Sequence, residues 1–269
     1  MNNVLFAFLL TLFAGLSTGI GSALAFFSKR TNTKFLSTSL GFSAGVMVYV
    51  SFVEILSKSR ESLITALGES KGELMTVISF FIGIAVIGLI DNFVPEFENP
   101  HIPRDKKDLQ ELKDEKKIES SSLMKMGMFS ALAIAIHNFP EGLATFASAL
   151  SDPELGISIA IAVAIHNIPE GISVSVPIYH ATGNKKKAFA YSFLSGLAEP
   201  IGALIGYFLL KFLFTDMMFG ILFGIVAGIM VFISIDELLP TSRKYGTGHN
   251  VIYGFTGGMA VMAISLLLF

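Results

Sequence analysis

Eight runs of mostly apolar residues, at 4–27, 35–57, 74–94, 123–150, 155–179, 188–213, 217–239 and 250–269, take up most of this 269-residue chain. About 20 such residues in a helix cross a hydrocarbon core of roughly 30 Å. A membrane β-barrel would instead show short segments of alternating polarity, and these long runs do not alternate. The expected class is an all-α polytopic membrane protein with eight transmembrane helices. Charged residues make up only 15% of the chain, against roughly 25% in soluble domains. A soluble enzyme is therefore excluded, and so is a nucleic-acid partner, which would need a basic surface where this chain has a net charge of −2. With no cysteine, a disulfide scaffold and a thiolate site are excluded as well. The first run lacks a basic leader and is too long for a signal sequence, so it reads as a retained span.

Of the 40 charged residues, 15 fall between positions 95 and 125. Basic residues flank the cytoplasmic ends of membrane helices. With the N-terminus outside, 15 Lys and Arg face the cytoplasm and four, Lys58, Arg60, Lys71 and Lys211, do not. Both termini are thus expected to be extracytoplasmic. Residues 95–122 become a cytoplasmic loop of mixed charge, read as a solvated linker, with a regulatory or metal-scavenging role around His101 as the alternative.

The chain also repeats itself. GFSAGVMVYVSFVEILSKS from Gly41 and GIVAGIMVFISIDELLPTS from Gly224 agree at nine of nineteen positions with a constant offset of 183. GLSTGIGSALAFF from Gly15 matches GLAEPIGALIGYF from Gly196 at an offset of 181. Spans one to three (residues 1–94) and six to eight (188–269) therefore read as copies entering the membrane from opposite sides, an inverted repeat of the kind secondary transporters use. Between them, spans four and five (123–180) resemble each other in AIAIHNFPEGLA at Ala133 and AVAIHNIPEGIS at Ala162. The expected arrangement is three, two, three.

The chemistry sits in that central pair. His137, Asn138 and Glu141 on span four, and His166, Asn167 and Glu170 on span five, each share one helix face, since positions three and four apart lie on one side. Pro140 and Pro169 lack an N–H and free the carbonyls of Ile136 and Ile165. Span six adds Glu199, where its copy in span one has Thr18. Ionisable groups at helix centres cost about 2.5–3.5 kcal/mol each on insertion scales, and a divalent cation is the natural counter-charge. Imidazole, carboxylate and amide ligands without thiolate suit Zn²⁺, Fe²⁺, Mn²⁺, Co²⁺ or Cd²⁺, and two carboxylates from neighbouring spans could bridge two ions. The alternative is a structural role, with His and Asn bonding between helices. Further acids mark the ends of a path: Glu54 near the outer mouth, Asp236 and Glu237 near the cytoplasmic exit, with Asp91 a weaker case and Met47 as a thioether on the path or as core packing.

These paired HNxPEG motifs, the eight spans and the loop after span three resemble the ZIP family of divalent-metal transporters, and more narrowly its bacterial zinc importers. The resemblance covers nearly the whole chain. It implies residence in the bacterial inner membrane and uptake of Zn²⁺ and related ions into the cytoplasm through a site on spans four, five and six. It assigns His137, Asn138, Glu141, His166, Asn167, Glu170 and Glu199 as ligands. Glu141 and Glu170 are candidate bridges, and Glu237 stands for the acid of an exit-side His–Glu pair that here has Asp236 in place of His. The metal is then substrate, the bilayer the environment, and no organic cofactor is needed. A homodimer is an open alternative. A selective channel remains the closest competing function. An intramembrane metallohydrolase is disfavoured because no HExxH is present and symmetry has no role in hydrolysis.

Overall fold

The computed structural model describes residues 3–24, 27, 32–92, 115–151, 153–210, 215–246 and 248–267, and among them every regular element is helical. In chain order these are α1 (Asn3–Leu24), α2 (Thr33–Val50), α3 (Leu56–Leu67), α4 (Glu69–Asn92), α5 (Glu115–Ser151), α6 (Pro153–Thr182), α7 (Lys185–Gly196), α8 (Ala198–Ile205), α9 (Asp216–Phe232), α10 (Leu239–Tyr245) and α11 (Asn250–Leu267). Polar side chains set the starts of three of them. Asn32 accepts from the Phe35 N–H, Asn184 from Lys187 and Thr215 from Met218, so α2, α7 and α9 each have an N-terminal amide satisfied. Gly68, at φ 80°, ends α3 in the left-handed region and turns the chain into α4.

Seven helical stretches among the described residues are long and apolar enough to cross a membrane. The expected eighth, α5, has the length: 37 residues span about 55 Å. What it lacks is apolarity, because Lys125, His137, Asn138 and Glu141 all lie on it. The helix also starts at Glu115, inside the stretch expected to be loop, since Glu and Lys are good helix formers. The rest of that loop, with His101, lies outside the described residues. Large apolar side chains such as Leu74, Phe81, Leu194, Phe208 and Ile264 stand at least 60% exposed. A surface of that kind belongs in lipid, and the chain is a multi-pass membrane protein.

The sequence repeat reappears as repeated geometry. A π-helical turn, Ser51–Ile55, joins α2 to α3, and another, Ile233–Leu238, joins α9 to α10. In each, an N–H reaches the carbonyl five residues back, Leu56 to Ser51 and Leu239 to Ser234, at the same offset of 183. Hydroxyls follow suit. Ser59 donates to the Gly220 carbonyl at 2.6 Å, and its counterpart Ser242 donates to the Ser37 carbonyl at 2.7 Å. Close approaches do the same: a Cβ on Gly45 would collide with the backbone of Phe255, and one on its counterpart Gly228 with the backbone of Phe80. Gly15 and its counterpart Gly196 pack on each other's carbonyls.

The copies in sequence are not the units of packing. α1, α5, α6, α7 and α8 pack on one another, while α2, α3, α4, α9, α10 and α11 form a second group. The groups meet along α2 and α6. There Ser43 donates to the Pro169 carbonyl at 2.7 Å, from a fully buried position. At the matching place, Val226 on α9 faces Pro140 on α5 across a cavity of about 410 Å³, lined also by Ile136, Phe139, Leu222 and Ile229. A third π-helical turn, Gly206–Leu210, follows α8.

Candidate metal site

α5 and α6 run on through Pro140 and Pro169 without ending. They are separated by one residue in sequence and lie side by side. Glycine lets each of them press on a third helix: a Cβ on Gly142 would collide with the Glu199 carbonyl of α8, and one on its counterpart Gly171 with the Thr18 carbonyl of α1. The two HNxPEG faces meet inside the first helix group. His137, Asn138, Asn167, Glu170 and Glu199 are completely buried, His166 is 2% exposed and Glu141 7%.

Histidine and glutamate pair crosswise between the motifs. Nε2 of His137 lies 2.8 Å from Oε1 of Glu170, and Nε2 of His166 lies 2.9 Å from Oε1 of Glu141. One pair is the image of the other at the offset of 29 that relates the motifs. Within α5, His137 Nε2 is 3.7 Å from Glu141 Oε2. The asparagines anchor the helices to their neighbours in the same paired way. Asn138 Nδ2 donates to the Ser195 carbonyl at 3.4 Å, and Asn167 Nδ2 to the Ala14 carbonyl at 2.9 Å, Ala14 and Ser195 being matched at the offset of 181. Asn167 makes one contact more, to Oε1 of Glu199. The repeat counterpart of Glu199 is Thr18, whose hydroxyl is buried with no hydrogen-bond partner.

Several polar atoms of the cluster are left over. Nδ1 of both histidines, Oδ1 of both asparagines and one carboxylate oxygen each of Glu141, Glu170 and Glu199 are buried without a hydrogen-bond partner. Leaving a buried polar group unmatched costs about 1–3 kcal/mol, and more for a charged one, so so many together need a further partner. Among the described residues, no three acidic or histidine side chains are set around one metal-sized point. An ion binding there must first open the crossed pairs.

The outer members of the expected path are distributed differently. Glu54 sits on the π-helical turn after α2, mostly buried, and lies within Coulombic reach of His166. Glu237 occupies the matching turn and is buried, with Asp236 beside it half-buried. Met47 and its counterpart Met230 are buried in the main apolar core. Asp91 falls in the last turn of α4, and its side chain lies outside the described residues. Lys58 and Ser43 were missed by the sequence reading. Lys58 Nζ lies 2.7 Å from Glu54 Oε1 and its charge reaches Glu141, a pairing that the charge count, which only places Lys58 outside, does not contain. The signal for both was in the repeat, where Lys58 is matched by Thr241 and Ser43 by Val226.

Comparison with known proteins agrees with this geometry. The family model described as ZIP Zinc transporter matches residues 95–266. The chain is 64% identical to the zinc transporter ZupT of Clostridium perfringens, over 100% of this chain and 98% of that one. It is 60% identical to the ZupT zinc transporters of Chlorobium chlorochromatii and of Oceanobacillus iheyensis, each over 100% of this chain and 99% of the relative. These relatives are transporters and not enzymes, which removes the metallohydrolase alternative. A motif pair folded into one buried polar cluster, a family match over most of the chain and full-length relatives agree: the chain belongs to the ZIP zinc transporter family.

Proposed function

We propose that the protein carries divalent transition-metal ions, Zn²⁺ foremost and Fe²⁺, Mn²⁺, Co²⁺ and Cd²⁺ with lower preference, into the cytoplasm. It would do so with eight crossings in a three, two, three order, both termini outside, in a bacterial inner membrane. The observation that carries the reading is the pair of crossed His–Glu contacts, made by two copies of one motif in the middle of buried helices. Such groups are expensive in a membrane and mark ion pathways. The full-length zinc transporter relatives support zinc as the ion.

The residues take the following parts. An arriving ion is drawn towards Glu54 and exchanges water for His137, Glu141, His166 and Glu170. Asn138, Asn167 and Glu199 supply ligands to a second ion beside the first, with Glu141 and Glu170 bridging. Binding needs neutral imidazole and ionised carboxylate, so an ion that separates the crossed pairs releases any protons they share. The ion leaves past Glu237 and Asp236. Access changes as the group holding α5 and α6 shifts against the group holding α2 and α9. The packed contact at Ser43 and the matching cavity at Val226 are the two faces of that movement.

The test is uptake of radioactive zinc by the purified full chain in proteoliposomes, with competition by the other ions. Saturable uptake that His137→Ala and Glu141→Ala both abolish supports the assignment. Undiminished uptake in either variant would refute it, and rates that do not saturate would make the protein a channel.

A further inference from the structure

The two π-helical turns carry matched acids, Glu54 and Glu237, but they differ one helical turn further along. Four residues after Glu54 is Lys58; four residues after Glu237 is Thr241. Lys58 bends back to its acid, with Nζ 2.7 Å from Glu54 Oε1. The other oxygen of Glu54, Oε2, is buried and has no hydrogen-bond partner. An ordinary pair on a helix surface looks different here, and α3 supplies the example. Arg60 pairs with Glu73 of α4, both side chains about half exposed, at a hairpin of two helices. The Glu54 side chain is only 15% exposed, and that of Lys58 40%. Glu54 also lies within Coulombic reach of His166, and Lys58 of Glu141. The Glu54–Lys58 pair is thus coupled by charge to the polar cluster, from the side that the charge distribution assigns to the outer mouth.

We infer that Lys58 is a tethered cation that holds the mouth carboxylate Glu54 and must be displaced by the incoming divalent ion, setting the threshold for which cations enter. The inference rests on the transport reading above and deepens it. A carboxylate held by an ammonium is already neutralised, so a weakly attracted cation has little to gain there. A monovalent ion brings no more charge than the ammonium it would expel. Mg²⁺ gives up its water reluctantly and gains little from one carboxylate that is already paired. A transition ion that goes on to imidazole and carboxylate ligands deeper in recovers what the displacement costs. Lys58 is well suited to this, being a compact point charge on a flexible stem that can swing off Glu54 and leave the acid in place. At the position that matches Lys58 the exit side has Thr241.

The experiment uses the purified full chain in proteoliposomes with Zn²⁺ alone and then with millimolar Mg²⁺. Removing a competing tethered cation lowers the apparent KM for Zn²⁺ in Lys58→Met by about threefold, the range of a part-exposed ion pair. It also makes uptake sensitive to Mg²⁺ that leaves the unsubstituted protein unaffected, while Lys58→Arg keeps both original values. Lys58→Gln is read in the same assay should the Met variant fail to fold. A KM that is unchanged or raised in the neutral variants, or an Mg²⁺ inhibition equal to that of the unsubstituted protein, overturns the inference. Absence of zinc uptake by the unsubstituted protein would instead overturn the transport reading on which it rests.

Discussion

The half of the molecule around α6 and the half around α5 share one design, and three differences between them bear on the site. Agreement runs through the motif pairs, the asparagine anchors at Ser195 and Ala14, the π-helical turns and the glycines that let helices touch. The differences are Glu199 against Thr18, Ser43 against Val226 and Lys58 against Thr241. The first places an extra carboxylate on one side of the cluster, the second bolts one face between the helix groups, and the third gives one mouth a cation. Shared elements build the site. The unshared ones give it a direction, because a fully symmetric carrier would treat its two sides alike.

The comparison can be broken most severely at the shared pairs. Truncating Glu170 or Glu141 to Ala removes a proposed ligand and leaves a buried histidine without its partner. Uptake of radioactive zinc is expected to fall by about 100-fold or more, since even outer-shell partners of metal ligands are worth 10–100-fold. The same variants should unfold several degrees earlier in detergent. Breaking a buried pair costs about 3–5 kcal/mol.

Next come the glycines. Gly142→Ala and Gly171→Ala each drive a methyl into a neighbouring carbonyl. Each should destabilise the protein by about 1–3 kcal/mol, read as a lower unfolding midpoint in detergent. Equal losses in the two variants would show that the halves are equally tight there, and unequal ones would rank them.

Glu199→Thr makes the two sides of the cluster alike. It deprives Asn167 of its carboxylate contact and should weaken zinc binding about tenfold by calorimetry on the purified protein. An unchanged affinity would mean that the extra carboxylate serves only packing. The smallest effect belongs to Ser43→Val, which copies the side chain of the cavity-lined face onto the packed one. One buried hydrogen bond is lost, about 1 kcal/mol, lowering the unfolding midpoint slightly. Val226→Ser places its hydroxyl on the cavity-lined face and should not gain that stability.

Much of this was legible in the chain itself. The repeat offsets of 181, 183 and 29 foretold which residues would be counterparts, and the counterparts meet their partners in matched ways. The burial of His137, Asn138, Glu141, His166, Asn167, Glu170 and Glu199 followed from apolar runs that carry a few polar groups on one helix face. What stayed hidden was pairing between elements. Spacing along a helix puts His137 and Glu141 on one face, yet the closer partner of His137 is Glu170 on the neighbouring helix. The sorting of helices into two groups was hidden for the same reason, since a repeat records ancestry and not contact. The pairing of Lys58 with Glu54 stayed hidden because a charge count weighs where basic residues gather and not where one long side chain reaches.

The crossed pairs bear on how such a chain enters a membrane in the first place. α5 is the least apolar of the long helices, and its central His137 and Glu141 find their opposite groups on α6, the next helix to emerge during synthesis. The insertion cost of those groups therefore falls on the α5–α6 hairpin as a unit. With one residue separating the two helices in sequence, the partner follows immediately, and the machinery that threads the chain into lipid has to accept the two together.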